Sequence, residues 1–236
     1  WKQTWERLQS ESISIAGFGG QIANWARPIT SDFQVDLDEL RRVAPRMREA
    51  GTKFLRIMSY PNPEPNALSR EDWKAETVRR LKELARIAGD EGVILGHENC
   101  NGYGETASGY LELVEAVDHP ALQLIFDTGN NSLHDNDTEV TGNYYQRCRD
   151  QIAHVHIKCA KPGENGRDYV ACHVDEDPVQ KRILEDLSAT SYDGWLSIEP
   201  HIKAAIHAGQ DIDESGEGRR VWVDFAQRLE RMVATI

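Results

Sequence analysis

Val93-Ile94-Leu95-Gly96-His97-Glu98-Asn99 is a short apolar run that stops abruptly at an acid and an amide. A buried parallel strand has this form: continuous hydrophobic residues, then a polar tip where the chain leaves the sheet. The pattern recurs downstream. Leu122-Gln123-Leu124-Ile125-Phe126-Asp127 ends in an acid. Ile152-Ala153-His154-Val155-His156-Ile157-Lys158 carries two imidazoles, and Trp195-Leu196-Ser197-Ile198-Glu199-Pro200-His201 ends in an acid and an imidazole. Successive strands thus each place a potential metal ligand at or near the carboxyl end. In a β/α barrel those ends converge on one mouth, where active sites lie. Glu98, Asp127, His156 and Glu199 are therefore the candidate site. Any single strand-end acid is often only a helix cap or a loop anchor. Four at corresponding positions of consecutive strands are much harder to explain that way.

Upstream, Ser12-Ile13-Ser14-Ile15-Ala16-Gly17 reads as a short strand and Phe54-Leu55-Arg56-Ile57-Met58 as another. Gly17-Phe18-Gly19-Gly20 matches neither a P-loop nor a dinucleotide fingerprint and reads as a permissive turn. Between the strands the apolar period switches to three and four, predicting helices over 35–50, from about 69 to 89, 108–117, 143–151, 178–190 and 219–233. Gly51 is placed to end the first of these in the left-handed conformation. Residues 160–176 and 202–218 read as long loops. Alternating strands and helices argue for a parallel sheet with right-handed crossovers. The count is six strands, so the expected fold is an α/β TIM-type barrel lacking its first two βα units, with an open doubly wound sheet as the alternative. One domain over 1–236 is expected. Trp1-Lys2-Gln3-Thr4-Trp5-Glu6 reads like the end of a polar helix, as if the chain began within a longer domain.

Composition narrows the function classes. The formal net charge is −12, which disfavours a polyanion partner because nucleic-acid affinity comes largely from neutralising phosphates. No apolar run approaches the ~20 residues of a membrane span. Cys100, Cys148, Cys159 and Cys172 show no CxxC spacing, so reduced thiols in a cytoplasmic protein are expected.

Three carboxylates and one imidazole form a hard, oxygen-rich ligand set. Such a set suits Mn²⁺ first, then Mg²⁺ or Co²⁺, with Zn²⁺ compatible. Three negative charges against a divalent cation favour a neutral polyol over a phosphate ester. Strand alternation gives a further expectation: His154, His156 and Lys158 share one face, whereas His97 points away from Glu98 into the helix layer as a satisfied structural imidazole.

The motifs HEN (97–99), FDTGN (126–130), HVHIK (154–158) and SIEPH (197–201), in this order, resemble the sugar phosphate isomerase/epimerase superfamily. These are the xylose isomerase-like TIM barrels, to which the type 2 AP endonucleases are related. The resemblance implies one divalent metal held by Glu98, Asp127, His156 and Glu199. It also implies that Glu98 and Glu199 are catalytic: one removes a proton next to a carbonyl and the other returns or donates one, through a metal-stabilised enediolate. Asn130, His154, Lys158, His201, Asn101 and Arg56 are the side chains expected to bind the substrate.

The departures from the family concern substrate. Free-ketose 3-epimerases have a Glu where this chain has Gly104, a His where it has Asn130, and an Arg where it has Pro162. The three-zinc nuclease branch needs an Asp-x-His pair that residues 160–176 lack; they carry Cys172-His173-Val174-Asp175 instead. The expected activity is isomerisation or epimerisation of a sugar or sugar derivative. The alternatives are a lyase acting on an oxidised sugar or cyclitol, such as a keto-inositol dehydratase or a 3-oxo-C-glycoside-cleaving subunit, and a non-catalytic fragment. The expected partners are a small carbohydrate and, because a six-stranded barrel exposes two edges, a second copy or a small subunit; nucleic acid and membrane are not expected.

Overall fold

Strands form where apolar runs can be buried on both faces, and the chain alternates them with amphipathic helices. The computed structural model describes residues 1–202 and 216–236. Its principal strands are β1 (Gly17–Gly19), β2 (Phe54–Ser59), β3 (Ile94–Gly102), β4 (Leu122–Asp127) and β5 (Ile152–Ile157). After a hairpin of β6 (Ala160–Pro162) and β7 (Tyr169–Ala171) comes β8 (Leu196–Ile198). The sheet order is β1-β2-β3-β4-β5-β8, with β6 and β7 paired separately. β1/β2, β2/β3 and β5/β8 are parallel. Among the described residues the main sheet therefore has the six strands expected. The chain forms two compact units, residues 1–124 and 125–236.

In the first unit, α1 (Lys2–Ser10) precedes β1, α2 (Gln34–Ala50) joins β1 to β2, and α3 (Arg70–Asp90) joins β2 to β3. α2 buries Leu37, Leu40 and Met47 and ends at Gly51, whose φ of 70° is the left-handed conformation that glycine adopts without strain. α3 starts where Ser69 Oγ accepts the Asp72 amide, and it buries Leu81, Leu84, Ala85 and Ala88. These side chains pack with Leu55, Ile57 and Leu95 of the strands into one apolar cluster. α4 (Ala107–Val117) follows β3 and adds Leu113 and Val117 to it.

The first strand lies later than the sequence suggests. Residues 12–16 are irregular, and the glycine-rich stretch read as a turn is β1 itself. A Cβ at Gly17 would meet the Phe54 carbonyl oxygen at 3.1 Å, and one at Gly20 the Arg56 carbonyl oxygen at 3.1 Å. Absent side chains let this backbone lie close against β2, so the strand carries no apolar period to read.

On α3, Glu76 accepts two 2.7 Å hydrogen bonds from Arg79 and one from Arg80 Nε at 2.7 Å. The Arg79 hydrogen bonds, outweighing burial and joined by Arg80, hold its carboxyl at about 2 against an ordinary 4.5. A depressed folded pKa adds stability that is complete above 4.5 and lost as pH falls toward 2. After discounting for solvent screening, Glu76→Gln is expected to cost about 1 kcal/mol at pH 7. Urea denaturation at pH 7 and near pH 2 checks this; a difference that does not shrink in acid would refute it.

The second unit holds α5 (Asn130–Asp135), α6 (Thr138–Cys148), α7 (Gln180–Ser188) and α8 (Glu217–Val233) around β5 and β8. α6 begins five residues earlier than the period implied, where Asp137 accepts the Glu139 amide as an N-cap. α5 is one short helix that a period of 3.6 cannot reveal. The polar stretch 160–176 is not a plain loop, since β6 and β7 form an antiparallel hairpin within it. Its turn is closed by Asn165, whose Oδ1 accepts the amides of Arg167 and Asp168, and by Gly166 at φ 64°. Of the loop expected over 202–218, residues 203–215 lie outside the described residues.

Cys148, Cys159 and Cys172 are buried and Cys100 is half-buried. Burial pushes the Cys148 and Cys172 thiols up to about 12, which leaves them unreactive. No helix among the described residues is long and apolar enough to cross a membrane.

Candidate metal centre

The tip of β4 is built to hold one carboxylate rigidly. Asp127 is fully buried, and its Oδ1 accepts the amides of Gly129 at 2.9 Å and Asn130 at 2.8 Å. With one oxygen held by backbone donors, the other faces the ammonium of Lys158, with Oδ2 to Nζ 3.1 Å. Gly129 is required for this arrangement. A Cβ there would meet Lys158 Cγ and the Lys158 carbonyl oxygen, both at 2.7 Å. Thr128 completes the seat, because its hydroxyl donates to the Lys158 carbonyl at 2.7 Å and its amide continues the ladder to His156. The FDTGN motif is thus an acid, a lysine anchor and a clearance for that lysine.

β5 and β8 supply the neighbours. His154 and Lys158 are buried and His156 is half-buried. The His154 and His156 rings meet edge to face at 5.3 Å, and His154 Nε2 lies 2.9 Å from Ser197 Oγ. Glu199 gathers this side. His156 Nδ1 is 3.2 Å from its Oε2, Lys158 Nζ is 2.9 Å from its Oε1, and His201 Nε2 donates to Oε1 at 2.9 Å. Burial alone would raise the Glu199 carboxyl. Hydrogen bonds from His156 and His201 and the charge of Lys158 outweigh burial and hold it well below the usual carboxylate range. Asn130 Oδ1 accepts from Lys158 Nζ at 2.8 Å. The ligand atoms of Asp127, His156 and Glu199 lie within 4.8 Å of one another.

In the first unit Glu98 is buried on β3, and Arg56 of β2 approaches its Oε2 at 3.5 Å through Nε. Asn101, at the end of β3, accepts from Ser59 Oγ through its backbone oxygen at 3.3 Å. His97 does point into the helix layer, with its ring 5.3 Å from that of Tyr110 on α4. It is not satisfied, however. Among the described residues neither buried ring nitrogen has a hydrogen-bond partner; the Tyr110 ring lies against the imidazole, and a Cβ at Gly104 would meet its Nε2 at 2.6 Å. Burial pushes its pKa down to about 4.

The second unit therefore contains a candidate metal-binding group of Asp127, His156 and Glu199. The chemistry of the donors fits a divalent cation: carboxylate oxygens with one imidazole are hard to borderline ligands. So does Lys158, a buried ammonium resting between Asp127 and Glu199, since two carboxylates this close need positive charge between them. Thr128, Gly129 and Ser197 also shape the site and were not singled out from sequence. Only the first two carried a signal, as neighbours of Asp127 in the motif.

The model of the family described as xylose isomerase-like TIM barrel matches residues 1–229, so the chain belongs to that family. No curated protein sequence matches it. Among solved structures, a xylose isomerase-like TIM barrel protein from Mycobacterium smegmatis in complex with magnesium is similar at TM-score 0.70 and 15% identity, over 96% of this chain and 76% of its own. The probable 3-DHS dehydratase AsbF from Bacillus anthracis is similar at TM-score 0.65 and 18% identity, over 86% of this chain and 77% of its own. The 3-keto-D-glucoside 4-epimerase YcjR from E. coli is similar at TM-score 0.64 and 16% identity, over 93% of this chain and 81% of its own. At these identities the likeness establishes the shared fold.

Proposed function

We propose that this member of the xylose isomerase-like TIM barrel family is a divalent-metal-dependent isomerase or epimerase of a sugar or sugar derivative. The observation that carries this reading is the cluster of Asp127, His156 and Glu199, with ligand atoms within 4.8 Å of one another. Glu98 is the fourth ligand in the proposal. When bound, the divalent ion, Mn²⁺ first among those the donors suit, supplies Lewis-acid polarisation of a carbonyl oxygen and positive charge against the developing negative charge. Glu98 and Glu199 move the proton: one takes it from the carbon next to the carbonyl, and the other returns or donates one. Arg56 beside Glu98 and Lys158 beside Glu199 keep the two carboxylates compensated. Lys158, Asn130, His154, His201, Asn101 and Arg56 orient the substrate's oxygens.

A lyase of the same superfamily acting on an oxidised sugar or cyclitol is the second reading, and one packing detail favours it over free-ketose 3-epimerisation. The ketose enzymes resembled by this chain have a Glu where it has Gly104. Here a Cβ at that position would meet His97 Nε2 at 2.6 Å. The first step, proton removal next to a carbonyl, is common to both readings.

Metal content tests the site. The purified chain is expected to hold about one divalent ion, and Glu199→Gln to hold less, because a neutral amide is a weaker ligand than a carboxylate. Elemental analysis of both, after loading with Mn²⁺, reads this. Metal-free protein in each case would sink the proposal, and three zinc ions per chain would move it to the nuclease branch.

A further inference from the structure

The loop after β1 holds its shape on both sides of one exposed side chain. Ile22 and Ala23 are fully buried and Asn24 nearly so. Their carbonyls and side chain are used: Met58 N donates to Ile22 O, Tyr60 N to Ala23 O, and Ala26 N to Asn24 Oδ1. Ala23 takes φ 59°, the left-handed region that favours glycine. Two residues past the loop's apex, Arg27 pairs with Asp36 at 2.6 Å and with Glu39. Trp25, between these anchors, is 54% exposed. A tethered loop that buries its flanks yet leaves an indole in water is presenting that indole.

What lies beside it indicates the chemistry of a ligand. The Arg56 guanidinium is 5.9 Å from the centre of the Trp25 ring, and its Nε is 3.5 Å from Glu98 Oε2. The Arg56 side chain as a whole is 24% exposed, so the guanidinium beside the indole is open in part to a ligand, and each of its N–H groups can only donate. Trp25, Arg56 and Glu98 therefore form a line from an apolar face, through a hydrogen-bond donor, to a carboxylate. A saturated ring with an apolar C–H face and a hydroxylated edge matches that sequence; a planar anion would use the guanidinium but not the exposed indole face.

We propose that Trp25 is a specificity-determining residue that stacks on the C–H face of a neutral carbohydrate ring, whose edge hydroxyls are taken by Arg56. The inference rests on the carbohydrate reading given above and adds the residue that selects for a ring. Tyr and Trp side chains are suited to this, since each offers a large rigid face at small entropic cost.

The test uses the full chain and methyl β-D-glucopyranoside as the probe, with affinity from titration and contact from saturation-transfer NMR. The wild type is expected to saturate the protons of one ring face most strongly. Trp25→Ala is expected to weaken the probe about tenfold. Trp25→Phe, which keeps an aromatic face, is expected to recover most of that loss, and this rescue separates stacking from general damage to the loop. Unchanged affinity in Trp25→Ala, or no binding to the wild type at millimolar probe, overturns the proposal. Metal content measured on the same samples separates it from the reading it rests on. A metal-free chain whose probe affinity depends on Trp25 upholds this inference and sinks the metal enzyme; a metal-loaded, active chain indifferent to Trp25 does the reverse.

Discussion

Replacing Glu199 by Gln is expected to lower turnover about a thousandfold or more while leaving the fold close to intact. A positioned acid or base contributes roughly 10²- to 10⁴-fold, and here the same side chain is also a proposed metal ligand, so the loss falls toward the upper end. Gln keeps the shape and an accepting oxygen but cannot take up a proton. The structural cost is small because Lys158, the cation beside Glu199, retains Asp127 Oδ2 at 3.1 Å and Asn130 Oδ1 at 2.8 Å. The melting temperature should therefore fall by only a few degrees, about 2–4 °C for each kcal/mol in a chain of this size. Glu98→Gln is expected to behave likewise, with Arg56 left beside a neutral amide. Turnover is best read as solvent-deuterium incorporation next to the carbonyl across ketoses, keto-inositols and 3-oxo-glycosides, because this reports the first step whatever the product. Wild-type exchange in either variant would remove that residue from the proton-transfer role.

The candidate site could be proposed from sequence because strands advertise their ends. An apolar run closed by an acid, repeated in register with the βα period, marks Glu98, Asp127 and Glu199 from sequence, and alternation puts His154, His156 and Lys158 on one face. What was hidden depended on contacts rather than patterns. β1 was misplaced because Gly17 and Gly19 carry no apolar period, and their place in the sheet is fixed by the ladder to β2. The β6/β7 hairpin was missed because each strand has three residues and its turn is closed by the Asn165 side chain. His97 was assigned to the helix layer by alternation alone; that its nitrogens find no partner among the described residues depends on neighbours such as Tyr110 and Gly104, which no local pattern connects to it.

That unsatisfied imidazole leads to the second large effect. Gly104→Glu, which installs the free-ketose epimerase residue, is expected to destabilise the protein by about 3 kcal/mol or more rather than to confer ketose epimerisation. The reason is steric first: a Cβ at 104 would lie 2.6 Å from His97 Nε2, 2.7 Å from its Cε1 and 3.2 Å from Leu113 Cδ1. The ring is fully buried against Tyr110 and cannot swing into solvent. Gly104→Ala isolates this clash and should cost about 1–3 kcal/mol. The carboxylate of Glu adds a buried charge beside apolar groups. His97→Ala opens a cavity of its own, yet combined with Gly104→Ala it should recover part of the loss, because the deleted ring is the obstacle. A double-mutant cycle in urea would read that coupling as non-additivity of about 1 kcal/mol or more. Additive losses would mean that ring and glycine do not compete for one space. If they do compete, the position that the ketose branch uses for substrate is occupied here by a core imidazole one residue before Glu98, and substrate scope is set by packing behind the site as well as by the side chains facing it.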